Sequence, residues 1–197
     1  MTKQLTMPEL NALRKALRSS AIPPVSFFDE HVKLDVSSDS GLAWKKSTAP
    51  QIKVGQRAGS KVNEYWVVCI EGVRYQVASV IMYIKTGIWP SEVIDHKNRN
   101  PSDNVSDDNL RYATYSDNAL NSKMYINNTS GFKGVNAYET QGGTRYQWRL
   151  IVGKTGYSKA GFLTLEDAAR ARDRALLEMA PHLGADCGLN FDYRDYQ

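Results

Sequence analysis

Asp95 and His96 stand side by side at the head of a polar stretch, residues 95–121. Twelve residues separate His96 from Asn109, and eight separate Asn109 from Asn118. Asp95 and Asn118 offer hard oxygen donors, which suit Mg2+ or Mn2+ better than Zn2+. An imidazole titrates near neutral pH, so His96 can take a proton from water. Placed on a strand, a tight loop and a helix start, these groups can converge on one divalent metal ion beside one base. That pairing suits phosphodiester hydrolysis. The base activates water, and the metal stabilises charge on the phosphorus oxygens and on the leaving 3′-oxygen. The same residue types also fill ordinary turns, because Asn and Asp tolerate unusual backbone angles. Residue type alone leaves both readings open.

Several elements must position such a site. Val93-Ile94 reads as a short strand leading into it, and Leu110–Thr114 as a second strand. Ser116 then caps a short helix with Asn118 in its first turn. Upstream, Tyr65–Ile70 and Val73–Val77 are β-prone and flank the two-residue turn Glu71-Gly72. Ala78–Thr86 reads as a short helix stopped by Gly87, and Trp89-Pro90 leads back to Val93. Nearer the N-terminus, Thr6 and Glu9 form a capping box. Leu10, Leu13 and Leu17 then share one helical face, with Arg14, Lys15 and Arg18 on the other. Pro23-Pro24 ends that element, and residues 37–63 read as a loose loop with a short strand near Leu42–Lys45.

Residues 122–130 read as a linker. Beyond it come three strands and a helix: Phe132–Tyr138, Tyr146–Val152, Tyr157–Phe162 and Leu165–Met179. Gly142-Gly143 turns the first strand into the second, and Thr164 with Asp167 caps the helix. Alternation puts Trp148, Leu150 and Val152 on the face that packs against the helix and turns Arg149 and Ile151 outward. Leu165, Ala168, Ala169, Leu176 and Met179 share one helical face, where the alanines permit close approach to a sheet.

The chain of 197 residues is 42% hydrophobic and 23% charged, which fits a soluble globular class. Its net charge is +4: residues 1–60 carry +4, residues 61–130 carry −1 and residues 131–197 carry +1. Such a balance permits a nucleic-acid partner without establishing one. Two cysteines, Cys69 and Cys187, provide no disulfide framework. Cys69 sits in an apolar run and reads as a buried free thiol in a reducing compartment. The N-terminus lacks an apolar signal core and no run of about 18 apolar residues occurs, so neither secretion nor a membrane span is expected. His31 and His182 lie outside any ligand-like spacing and read as structural or surface residues. The Asn-x-Ser/Thr triplets at Asn104, Asn127 and Asn128 read as chance.

The stretch IDHKNRNPSDNVSDDNLRYATYSDNALN resembles the His-Asn-His (HNH) endonuclease motif of the phage and homing type. The resemblance extends over roughly residues 63–121, including the preceding hairpin and the TGIWP turn. It implies a catalytic pair, with His96 as general base and Asn109 bracing the loop by hydrogen bonds. It also implies that Asp95 and Asn118 bind one Mg2+ or Mn2+ ion. One departure is Ala78-Ser79, where many relatives carry His-Arg. A chain slowed by that change would be a DNA-binding regulator with a degenerate nuclease domain.

The segments SGFKGV, YQWRLIV, GFLTLEDAARARDRA and GLNF resemble the plant-type ethylene-response-factor (ERF) DNA-binding domain, in which a three-stranded antiparallel sheet packed on one helix enters the major groove. That resemblance implies DNA contacts from Lys133, Asn136, Tyr138, Arg145, Arg149 and Lys159. Arg149 is the candidate to reach a base edge, because its fork can pair with guanine. Departures exist here too: plant domains carry several arginines on the first strand and a Tyr where Arg172 stands.

The expected fold is thus α+β: a ββα-metal nuclease core followed by a small three-stranded antiparallel sheet on one helix. The expected divisions are an N-terminal region 1–62, a nuclease domain 63–124, a linker 125–130 and a DNA-binding domain 131–192. The expected partner is double-stranded DNA, without a membrane, in the cytoplasm (the host's, for a phage protein). One metal site in a monomer would most simply nick one strand.

Overall fold

The computed structural model describes residues 22–186 and 188–197. The basic N-terminal helix expected from Leu10, Leu13 and Leu17 lies outside these, as does Cys187. The chain divides into two compact units. One runs up to His96 and takes in Asn100–Tyr112; the other comprises Lys97–Arg99 and Ala113–Gln197. Residues 22–62 share a unit with the strands of the polar stretch, and residues 113–124 fall with the C-terminal one. Helices and several small sheets make the fold a mixed α+β one. No helix of the described residues is long and apolar enough to cross a membrane.

The first unit opens with helix α1 (Val25–His31), for which Pro24 stands at the N-cap. A proline loses nothing there, since the first amide groups of a helix have no partner within it. Strand β1 (Val32–Leu34) pairs antiparallel with β2 (Leu42–Trp44), Val32 opposite Trp44. A three-stranded sheet follows, with β3 (Ser60–Val62), β4 (Tyr65–Ile70) and β5 (Val73–Gln76) in the order β3-β4-β5. Glu71 and Gly72 both take positive φ, 48° and 80°, as a two-residue hairpin turn requires. Along β4 the side chains alternate: Trp66, Val68 and Ile70 point into the core, while Tyr65 and Cys69 are exposed. The expectation of a buried Cys69 is therefore corrected. An apolar run in a strand with only one covered face still turns every second residue outward.

Helix α2 (Val77–Thr86) ends at Gly87, whose φ of 73° closes the helix with a bond to the Tyr83 carbonyl. Val77, Val80 and Ile81 join Phe28, Val32, Leu42, Trp66, Val68 and Ile70 in one core. Each fully buried aliphatic or aromatic side chain there contributes about 1.5–3 kcal/mol. Phe28 packs against Tyr75, Tyr83 and Trp89 with ring centroids 5.1, 5.7 and 5.8 Å away. Strands β6 (Val93–His96) and β7 (Leu110–Ala113) form a two-stranded sheet, and Ile94 and Leu110 reach the same core.

In the second unit, helix α3 (Tyr115–Asn121) begins with a complete capping box. Its cap is Thr114, whose side chain accepts from the Asp117 amide, and not Ser116. The Ser116 hydroxyl instead accepts from the Gly153 amide at 2.8 Å. Strands β8 (Val135–Thr140), β9 (Gly143–Val152) and β10 (Thr155–Phe162) form an antiparallel sheet in the order β10-β9-β8. Helix α4 (Leu165–Met179) follows, capped by Thr164. Val135, Trp148 and Leu150 from the sheet meet Ala168, Ala169 and Leu176 from the helix in the core. Alanine at two of these positions lets helix and sheet backbones approach closely.

Candidate active site

Asp95 and His96 are the last two residues of β6, and both are buried. They sit on a strand rather than in the loop that follows. Ile94, one residue earlier, is in the core of the first unit, so the strand has little freedom to move. A buried imidazole and a buried carboxylate must each find partners. His96 Nε2 lies 2.9 Å from Oδ1 of Asn104. The Asp95 carboxylate is held by Arg111 on the paired strand β7. Both Arg111 Nε and Arg111 Nη2 donate to Asp95 Oδ2, at 2.9 and 2.7 Å. The carboxylate is 5% exposed and the guanidinium 15%. Two donors converging on one oxygen fix the carboxylate's orientation and offset the cost of burying its charge.

The loop between β6 and β7 is tied down along its length. Asp103 accepts from the Ser106 amide at 3.0 Å and from the Ser106 hydroxyl at 2.6 Å. Asn109 Nδ2 donates to the Asp103 carbonyl at 2.7 Å, closing the loop on itself. From outside the loop, Trp66 Nε1 donates to the Ser102 carbonyl at 2.9 Å, and the Ser102 hydroxyl donates to the Glu64 carbonyl at 2.7 Å. The sheet of the first unit therefore carries the loop. Arg99 and Asp108 take positive φ of 58° and 52° in this stretch.

The donor set in this stretch is one of oxygens. Among the described residues no group of three or more His, Cys, Asp and Glu side chains gathers as a metal cage. A single buried, oriented carboxylate fits a hard cation such as Mg2+, which keeps several of its waters and takes one or two carboxylates. Asn118 lies in the second unit, half-buried on α3, where its amide donates to the Thr114 carbonyl at 3.0 Å. Next to it, burial raises the Asp117 carboxyl. Hydrogen bonds from Thr114 and His182 outweigh that effect and hold it below the usual carboxylate range. Ala78 and Ser79 are both buried on α2 and packed within the first unit.

The sheet of the second unit sorts the six residues expected at DNA. Cross-strand partners share a face in an antiparallel sheet. Asn136 pairs with Gln147 and Tyr138 with Arg145, so Asn136, Tyr138, Arg145, Gln147 and Arg149 occupy one face. The register continues that face onto β10 through Arg149 and Ser158. Lys159 pairs with Trp148 and belongs to the helix-bearing side, opposite Arg149. Lys133 also departs from its expected outward role. Its ammonium donates to the carbonyls of Leu120, at 2.9 Å, and of Ser122. The last carbonyls of a helix lack partners and carry partial negative charge, so a lysine beside the end of α3 folds onto them.

Asn104, Arg111 and Ser40 escaped the sequence reading. Arg111 carried a signal, since it shares a strand with Leu110 next to the bracing Asn109. Asn104 carried none beyond an Asn-x-Ser triplet. Comparison with known proteins gives one result on this same ground: the model of a family described as HNH endonuclease matches residues 75–120. The match contains Asp95, His96, Asn104, Asn109, Arg111 and Asn118, and marks an HNH nuclease domain in this chain. No curated protein and no solved structure matches the chain.

Proposed function

We propose that this protein is a homing-type, metal-dependent endonuclease that hydrolyses phosphodiester bonds in double-stranded DNA. The observation that carries the reading is the coincidence of two things in one segment. Residues 75–120 match the HNH endonuclease family, and inside them a buried His96 is held by its Nε2 next to a carboxylate fixed by an arginine.

In this reading His96 takes a proton from the attacking water, and Asn109 keeps the loop closed. Asp95 and, from the resemblance, Asn118 hold one Mg2+ or Mn2+ ion. When bound, that ion supplies charge stabilisation to the phosphorus oxygens and the leaving 3′-oxygen. Arg111 keeps Asp95 oriented. Target binding belongs to the C-terminal sheet. Asn136, Tyr138 and Arg145 support it on the open face, with Arg149 reaching for a base edge and neighbouring contacts gripping phosphates. As a monomer with one metal site it would most simply nick one strand, and as a dimer it could cut both.

The test separates the two jobs. His96→Ala should lower the cleavage rate of a labelled duplex by roughly 100- to 10,000-fold, the usual worth of a general base, while its affinity for the same duplex stays at the wild-type value. Cleavage at the wild-type rate by that variant would remove His96 from the mechanism.

A further inference from the structure

We propose that Asn104 is the positioning residue for His96, holding the imidazole proton on Nε2 so that Nδ1 carries the lone pair. The buried segment around Ser40 holds Asn104 in turn. The proposal rests on the reading of His96 as the base, and it names what sets that base's working nitrogen.

A chain of hydrogen bonds runs from Ser40 through Asn104 to His96. Asn104 Nδ2 lies 3.0 Å from the Ser40 carbonyl. A carbonyl can only accept, so the amide nitrogen must face Ser40, and Oδ1 must face His96. An amide oxygen can also only accept, so at 2.9 Å it is His96 Nε2 that donates. The neutral imidazole then has its lone pair on Nδ1. Ser40, Asn104 and His96 are 0%, 5% and 5% exposed, so water does not compete for these bonds. Reversing either dipole would leave two buried acceptors, or two buried donors, facing each other.

The far end of the chain is as well fixed as the near one. The Ser40 hydroxyl donates to the Ala58 carbonyl at 2.7 Å. Gly41 takes φ of +85°, and a Cβ there would lie 2.7 Å from Ile81 Cδ1 and 3.4 Å from Asn104 Cβ. The glycine lets the Ser40 carbonyl come this close to the loop. Ser40 and Gly41 lie outside the segment that matches the nuclease family, residues 75–120. The N-terminal region thus supplies the reference point against which the base is oriented. No local pattern announces it, because the partners are 64 residues apart in sequence.

The experiment uses the full chain with 15N-labelled histidine. Two-bond proton–nitrogen correlation spectra report which imidazole nitrogen of His96, assigned by its loss in His96→Ala, carries the proton. The wild-type chain should show the proton on Nε2. Asn104→Ala should show a mixture of tautomers and a kcat lower by about 10- to 100-fold, the usual effect of removing a histidine's supporting partner. Its affinity for the DNA duplex should be unchanged. Asn104→Asp keeps an acceptor toward Nε2 and should keep the proton there, but it sets a second acceptor against the Ser40 carbonyl and should not restore the full rate. A wild-type His96 with its proton on Nδ1 overturns the proposal whether or not any variant folds. An Asn104→Ala chain with unchanged tautomer, or one that loses DNA affinity rather than kcat, overturns it too. A wild-type chain that cuts no DNA overturns the endonuclease reading alone, and its spectrum still decides where the proton sits.

Discussion

Asp173, fully buried on α4, gathers five hydrogen bonds onto one carboxylate. Arg172 Nη1 and Asn190 Nδ2 donate to Oδ1, both at 3.0 Å. The amides of Asn190 and Phe191 and the Tyr196 hydroxyl donate to Oδ2 at 2.6, 3.1 and 3.1 Å. Burial, together with the charge of Asp173, pushes the Tyr196 hydroxyl well above its ordinary pKa. One residue thus ties the C-terminal segment GLNF to the helix. Its neighbour Arg172 is 3% exposed, so Asp173→Ala would leave a buried guanidinium without its counter-charge. The expected cost is about 3–5 kcal/mol, read as a lower urea midpoint. A midpoint equal to wild type would contradict the account of this hub. His31 is a comparable case in the first unit. Its Nδ1 donates to the Phe27 carbonyl at 2.7 Å and its Nε2 lies 3.5 Å from Glu71 Oε1. Those partners make it a structural residue. His96 differs in standing beside Asp95 inside the matched nuclease segment.

At the scale of elements, strand register makes a sharper statement than residue type. Arg149 and Lys159 are both cations on one sheet, yet their register partners place them on opposite faces. Arg149→Ala should weaken DNA binding by about 1–3 kcal/mol, the worth of a side chain reading a base edge. Lys159→Ala should cost clearly less. Fluorescence anisotropy with a labelled duplex checks the pair, and a larger loss from Lys159→Ala would place DNA on the other side of the sheet. Elements with local signals were legible in the sequence. The Glu71-Gly72 hairpin, the helix stopped by Gly87 and the helix Leu165–Met179 behind its Thr164 cap stand where turn and cap chemistry put them. Helix α1 was not legible, because Pro23-Pro24 reads equally as the end of one element and the start of another. Residues 37–63 read as loose from their Ser, Gly and Lys content. Yet Ser40 and Ala58 are fully buried, and their order comes from distant partners. The same reason hid Asn104 and the inward fold of Lys133. Asp95 and His96 were legible from type and spacing, but that they end a buried strand under Arg111 was not.

At the scale of the whole molecule, the proposed DNA partner meets a chain of net charge +4. Phosphate contacts release counterions, so duplex affinity should fall steeply between about 50 and 300 mM salt. Equal affinity at both concentrations would contradict a nucleic-acid partner. The central claim is the cutting itself. Its most direct test incubates supercoiled plasmid, or DNA from the source genome, with the purified full chain and Mg2+ or Mn2+. The controls are EDTA and His96→Ala. The account predicts conversion to relaxed circles or linear DNA in the presence of metal, lost in both controls, and the product form separates nicking from double-strand cutting. DNA that stays supercoiled with either metal, or cutting that persists undiminished in EDTA or with His96→Ala, would contradict it.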